Sequence, residues 1–280
     1  MHPIYTHIKQ SLAGIYSDSE ASALAKWILT EVFCLSTIDL YAGKDMNFST
    51  KEYAKLEDIL SRLKRYEPLQ YILGKTTFCG LPFEVAPGVL IPRPETEELV
   101  DWIISDYLEK SEVRILDIGT GSGCIPITLA RSLKNSKVTS WDVSPEALAI
   151  AERNKRLNEV EITLAQIDIF DSTLPEIHAD VLVSNPPYVT EKERSDMERN
   201  VLDWEPELAL FVPDSDPLLF YRRIAEVGCD ILSPGGILYY EINRAYGSET
   251  VTLLGQMGYK SVELRKDQFG NDRMVKALRP

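Results

Sequence analysis

The chain predicts an α/β protein, a doubly wound and mostly parallel sheet preceded by a small bundle of helices. Three observations carry this. From residue 113 onward, short apolar runs of strand length alternate with amphipathic helical stretches. A glycine-rich turn, Gly119-Thr120-Gly121-Ser122-Gly123, lies between the first such strand and its helix. Residues 1–70, by contrast, carry only helical periodicity.

Bulk properties narrow the class. With 280 residues, 44% hydrophobic and 26% charged, the composition is that of a globular protein with a sizeable core. The formal net charge is −13. The first 75 residues balance nine basic against nine acidic side chains, so the whole excess lies beyond Lys75. An acidic main part argues against sequence-independent nucleic-acid binding, which needs a basic footprint. Cys34, Cys79, Cys124 and Cys229 have neither metal-site nor disulfide-framework spacing. Reduced thiols, no metal and a cytoplasmic setting are expected. No secretory pattern opens the chain and no apolar run reaches spanning length, so no membrane role is expected.

Within residues 1–74, read as a helical domain, Ile4, Ile8, Leu12 and Ile15 recur at helical spacing. A second helix is expected over 22–35, with Leu24, Trp27, Ile28, Val32 and Leu35 on one face. A short third is expected over 37–43. Ser49 caps a helix over 51–66, whose stripe is Tyr53, Leu56, Ile59, Leu60 and Leu63. Such a bundle holds no chemistry of its own and suits gripping a partner.

Residues 75–94 read as a hairpin linker, with Gly80 near the turn and Pro87, Pro92 and Pro94 stiffening its second half. The run Ile91-Pro92-Arg93-Pro94-Glu95-Thr96-Glu97 opens onto a helix facing the core with Leu99, Trp102 and Ile103. A domain hinge and a site cation at Arg93 both fit this run. In residues 95–280, strands are expected at 113–118, 137–143, 162–165, 179–184 and 237–242, with helices at 124–133, 145–158, 218–232 and 248–257. Two last strands, 260–265 and 273–278, flank a turn at Gly270-Asn271.

Chemistry concentrates where strands end, the edge at which open α/β sheets bind ligands. Asn185-Pro186-Pro187-Tyr188 stops the strand 179–184, because proline lacks the N–H a central ladder needs. Fixed proline dihedrals hold Asn185 and Tyr188 in set directions. A planar amide, a proline carbonyl and an aromatic ring can hold a planar N–H2 group, accepting its hydrogens and stacking on its face. Gly119, Gly121 and Gly123 let the backbone approach a ligand at a helix N-terminus. Their spacing departs from the dinucleotide fingerprint, which disfavours a nicotinamide-dependent oxidoreductase. Asp142, ending the next strand, is placed to accept from ribose hydroxyls. Asp168-Ile169 comes after the third strand, and Asp168 reads equally as a helix cap or an adenine contact.

With Asp117 before the glycine loop, this set resembles the Rossmann-like class I S-adenosylmethionine methyltransferases. The likeness implies S-adenosyl-L-methionine held by Asp117, Gly119, Thr120, Gly121, Ser122, Gly123, Asp142, Asp168, Ile169 and Asn185. Further pieces sharpen it: Glu67–Gly74, Leu90–Glu97, Glu205-Pro206-Glu207-Leu208-Ala209-Leu210, and 267–279 with Gly270 and Arg273. Over nearly its whole length the chain is similar to the peptide chain release factor N5-glutamine methyltransferases, the PrmC/HemK family. That resemblance implies methylation of the glutamine amide in the Gly-Gly-Gln motif of class 1 release factors, with the helical domain docking the factor. Asn185, Pro186 and Tyr188 are then catalytic, and these with Pro187 and Arg93 bind substrate.

Two stretches depart from the family pattern: Phe211–Leu218, and Glu241-Ile242-Asn243-Arg244, where a glycine and a glutamine are expected. Adenine-N6 nucleic-acid methyltransferases share the Asn-Pro-Pro-Tyr loop, but the acidic charge and the lack of a basic reading domain weigh against them. A non-enzymatic nucleotide-binding scaffold gives no reason for that loop. No side chain offers a base for an amide, since His178 is the sole histidine beyond His7 and falls in a loop. Positioning is therefore expected to carry much of the catalysis.

Overall fold

The structure, a computed structural model, describes residues 3–36, 38, 40, 48–110 and 112–280. The short helix expected over 37–43 lies outside the described residues, save 38 and 40. The chain forms two compact units: residues up to Leu73 joined by Arg199–Trp204, and Gly74–Glu198 joined by Glu205–Pro280.

The first unit contains α1 (Pro3–Leu12), α2 (Asp18–Glu31), α3 (Thr50–Leu63) and α4 (Leu69–Leu73). Ser17 caps α2 by accepting from the Glu20 N–H, which starts the helix before the expected Ser22. The buried stripe of α2 is therefore Ala21, Ala25, Ile28 and Leu29, and Trp27, expected on that face, is 36% exposed. Tyr53 likewise stands outside the α3 stripe, where Leu56, Ile59, Leu60 and Leu63 are buried. Ser49 and Glu52 close a reciprocal capping box at the start of α3. The first helix ends at Leu12, short of Ile15, and Gly14 turns the chain at φ +80°. The unit is completed by α8 (Arg199–Leu202) and its sequel. Arg199 sits 4.2 Å over the Tyr66 ring, and Trp204 Nε1 donates to the Arg65 carbonyl at 3.2 Å.

The second unit opens with the hairpin of β1 (Lys75–Phe78) and β2 (Leu81–Glu84). Phe78 and Phe83 bury in one apolar cluster with Leu99, Trp102 and Ile103, so this hairpin belongs to the body of the unit. Next come α5 (Pro94–Tyr107), β3 (Arg114–Ile118), α6 (Cys124–Ser132), β4 (Lys137–Asp142), α7 (Pro145–Leu157), β5 (Ile162–Gln166) and β6 (Ala179–Ser184). The chain ends with α10 (Leu219–Ile231), β9 (Leu232–Glu241), α11 (Gly247–Gln256), β10 (Lys260–Lys266) and β11 (Asp272–Leu278).

The seven-stranded sheet runs β10-β11-β9-β6-β3-β4-β5. Pairings from β5 to β9 are parallel, and β11 joins antiparallel to β9 and β10. This is the expected doubly wound sheet with an antiparallel edge. Strand β9 begins at Leu232 rather than near Ile237 because it absorbs Pro234-Gly235-Gly236 as an irregularity against β6. Between β6 and α10, where no elements were expected, the pair β7 (Val189–Thr190) and β8 (Phe211–Val212) forms, with α9 (Glu207–Leu210) just before β8. Two-residue strands leave no periodicity to read.

Candidate active site

Strand order reverses between β3 and β6, which pair with Ile118 opposite Ser184. Their C-terminal ends thus put the glycine loop beside Asn185-Pro186-Pro187-Tyr188, at the switch point where such sheets bind ligands. Gly119, Gly121 and Gly123 all take positive φ, at +86°, +53° and +83°. Gly123 caps α6, and a Cβ there would meet Ile127 Cδ1 at 2.9 Å.

Three acids stand near the loop in different surroundings. Asp142 accepts from the N–H groups of Gly121 and Ser144, both at 2.9 Å. Burial raises its carboxyl above the usual range, and those backbone donors oppose the shift. Asp117 is fully buried; its Oδ2 accepts from the Ser140 hydroxyl at 2.5 Å while Oδ1 has no partner among the described residues. Burial pushes this carboxyl up to about 7. Asp168 accepts from the Phe170 N–H at 2.9 Å, a local turn that leaves its other oxygen uncommitted by that bond.

A cavity of ≈ 530 Å³ opens along this edge. Of the residues expected to hold a cofactor, Gly119, Thr120, Gly121, Ser122, Asp142, Asp168, Ile169 and Asn185 line it. Asp117 and Gly123 stand behind the wall. Pro186, Pro187 and Arg93 also line it. Sequence reasoning missed the apolar wall of Trp141, Val143, Phe170 and Phe220, and also Thr96. Strand-end position alone could have flagged Trp141 and Val143; Thr96 sits in a family segment but gave no sign of its direction.

Behind the cavity, Asn185 joins a buried chain of hydrogen bonds. Asn185 Nδ2 donates to Thr96 Oγ1 at 3.2 Å, and Thr96 donates to Glu241 Oε2 at 2.6 Å. The Tyr188 hydroxyl donates to Glu241 Oε1 at 2.9 Å. The Tyr188 ring, expected to stack on a bound amide, packs on the apolar cluster that includes Tyr221 and Tyr240 and does not line the cavity. The divergent segment has a job here: Asn243 Nδ2 donates to the Tyr188 carbonyl at 3.0 Å and to Glu193. Arg93 is also committed, pairing with buried Glu205, which in addition accepts from the Ile91 N–H at 3.1 Å.

These residues fit S-adenosylmethionine. Asp142 and Asp168 put carboxyl groups on the cavity lining for a cation and for ribose hydroxyls, and the apolar wall suits a flat base. Fold and site together define an S-adenosylmethionine-dependent methyltransferase. Solved structures share the fold: a methyltransferase from Pyrococcus furiosus aligns with TM-score 0.54 at 20% identity over 82% of this chain and 98% of that one. The 16S rRNA N2 G1207 methyltransferase of T. thermophilus, in complex with AdoMet and guanosine, aligns at 0.54 and 16% identity over 74% of this chain and 50% of that one.

Two family models match, the PrmC N-terminal domain over residues 4–74 and the Methyltransferase small domain over 100–203. The release factor glutamine methyltransferase of Bacteroides thetaiotaomicron is 50% identical over 280 residues, the full length of both chains. That of Flavobacterium psychrophilum is 47% identical over 97% of this chain and 96% of its own. The chain belongs to the release factor glutamine methyltransferase family.

Proposed function

We propose that the protein transfers a methyl group from S-adenosylmethionine to the side-chain amide nitrogen (N5) of the glutamine in the Gly-Gly-Gln motif of class 1 peptide chain release factors. Residues 1–74, matched by the N-terminal family model, dock the factor. The free thiols among the described residues accord with work in the cytoplasm. The observation that carries the reading is the orientation of Asn185: its amide nitrogen is held by Thr96, so its oxygen is the end left for a ligand in the cavity.

An amide nitrogen is a weak nucleophile because its lone pair is delocalised into the carbonyl. S-adenosylmethionine supplies, when bound, a methyl carbon on a sulfonium sulfur. Asn185 Oδ1 and the Pro186 carbonyl accept the two N–H hydrogens of the target glutamine. They turn its lone pair toward the methyl and stabilise positive charge developing on nitrogen. Pro186 and Pro187 keep both acceptors rigid. With both hydrogens held by Asn185 and Pro186, the nitrogen would take the methyl from bound S-adenosylmethionine, whose sulfur would keep the electron pair of the broken carbon–sulfur bond, and one N–H proton would leave to water.

The test is methyl transfer from labelled S-adenosylmethionine to a purified class 1 release factor, beside its Gln→Ala loop variant and duplex DNA. Label on the wild-type factor alone is expected; label on DNA sinks the reading. Asn185→Ala should lower kcat by at least about 100-fold while leaving cofactor binding largely intact. Wild-type turnover by that variant would overturn the mechanism.

A further inference from the structure

We propose that Thr96 and Glu241 are positioning residues that decide which end of the Asn185 amide faces the substrate. The inference rests on the reading above, in which Asn185 must present an oxygen. The two ends of an amide are nearly identical in shape and opposite in hydrogen-bonding sense. Packing alone therefore does not choose between them; a neighbour with a defined sense must.

That neighbour is Thr96. A hydroxyl has one hydrogen, and Thr96 gives it to Glu241 Oε2 at 2.6 Å. Toward Asn185 it then offers only lone pairs, so Nδ2 must turn to it, and does so at 3.2 Å. The sense of the Thr96 hydroxyl is fixed in turn by Glu241. Burial raises the Glu241 carboxyl, but a hydroxyl donor on each oxygen and the Arg273 charge oppose that and favour the ionised form, which accepts and never donates. Its second oxygen takes the Tyr188 hydroxyl at 2.9 Å, so both of its faces call for donors. Thr96 is 2% exposed and Glu241 is 1% exposed, which leaves little room for water to supply the opposite sense. Three separate elements converge to build this: the first turn of α5, the end of β9 and the loop after β6.

Glu241→Gln keeps the shape and breaks the logic. A glutamine amide can donate to Thr96, freeing the Thr96 hydrogen for Asn185 Oδ1. Asn185 then turns its NH2 to the cavity, where donor meets donor. Thr96→Val keeps the volume and removes the anchor altogether, while Thr96→Ser keeps the hydroxyl.

The experiment measures kcat and KM for the release factor, and the S-adenosylmethionine Kd by calorimetry. The full-length variants are T96V, T96S, E241Q, T96V/E241Q and N185A. T96V and E241Q should each lower kcat about 10- to 100-fold with both affinities held within about two-fold, because the defect lies in alignment and not in binding. T96S should recover most of that loss. The double variant should be no worse than the weaker single, because both act through one amide. If T96V and E241Q turn over near the wild-type rate while N185A is dead, the positioning idea fails and the reading of Asn185 stands. Independent, multiplying effects in the double variant would also overturn it. An active N185A defeats the underlying reading instead. Should E241Q fail to fold, T96V against T96S decides alone.

Discussion

Asp117 has one oxygen on Ser140 and the other without a partner among the described residues in a fully buried site, and burial pushes its carboxyl up to about 7. In the unfolded chain it titrates near about 3.9. A carboxyl raised in the folded state holds its proton more tightly there, so stability falls as pH rises from the unfolded value to the folded one, then levels off. Asp117→Asn removes that slope. Relative to wild type, the variant should gain about 2–3 kcal/mol between pH 5 and pH 8, read from urea unfolding in cofactor-free buffer. Parallel pH profiles would show that the acid does not titrate as described. At this scale much was legible. Asp117, Asp142 and Asn185 all mark strand ends, and position along a strand is a local property. The direction of Tyr188 was not legible, because it depends on Glu241, 53 residues away. The use of Asn243 depends equally on distant partners, the Tyr188 carbonyl and Glu193.

Two glycines of one loop do different work, and substituting each separates folding from binding. Gly123 joins α6 to α7: a Cβ would stand 2.9 Å from Ile127 Cδ1 and 3.2 Å from Ala151 Cβ, at φ +83°. Gly123→Ala should cost about 2–4 kcal/mol of stability, combining overpacking with left-handed strain. Gly121 has none of the described residues within 4 Å of its Cβ position, and its φ is +53°. Gly121→Ala should fold at a cost of about 1–2 kcal/mol, yet weaken S-adenosylmethionine about tenfold, since the methyl enters the cavity wall. Thermal melts beside calorimetric titration check the pair; a folded G123A and a tight-binding G121A would reverse the assignment. Elements of the α/β part were foreseen from period alone because each strand and helix is long enough to show one. The misses were short or capped from outside the period: β7 and β8 hold two residues each, and α2 starts at a cap set by Ser17.

Charge is balanced over residues 1–75 and the whole acidic excess lies in the remainder, a contrast that suggests different jobs. Every residue lining the cavity belongs to the second unit. If the first unit docks the release factor, removing it should spare cofactor binding and the chemistry on a minimal target. What sequence order conceals is that Arg199–Trp204 completes the first unit, because only three-dimensional contact returns that segment to Arg65 and Tyr66. Deleting residues 1–73 alone would strand Trp204, so the truncated chain should also carry Trp204→Ser. This variant should bind S-adenosylmethionine with the wild-type Kd and methylate a short Gly-Gly-Gln peptide at the wild-type rate. For the intact release factor its KM should rise by about 100-fold, the loss expected when one of two linked contacts is cut. Equal KM values for the intact factor would remove docking from the first unit. A raised KM for the peptide as well would mean that the helical unit shapes the active site itself.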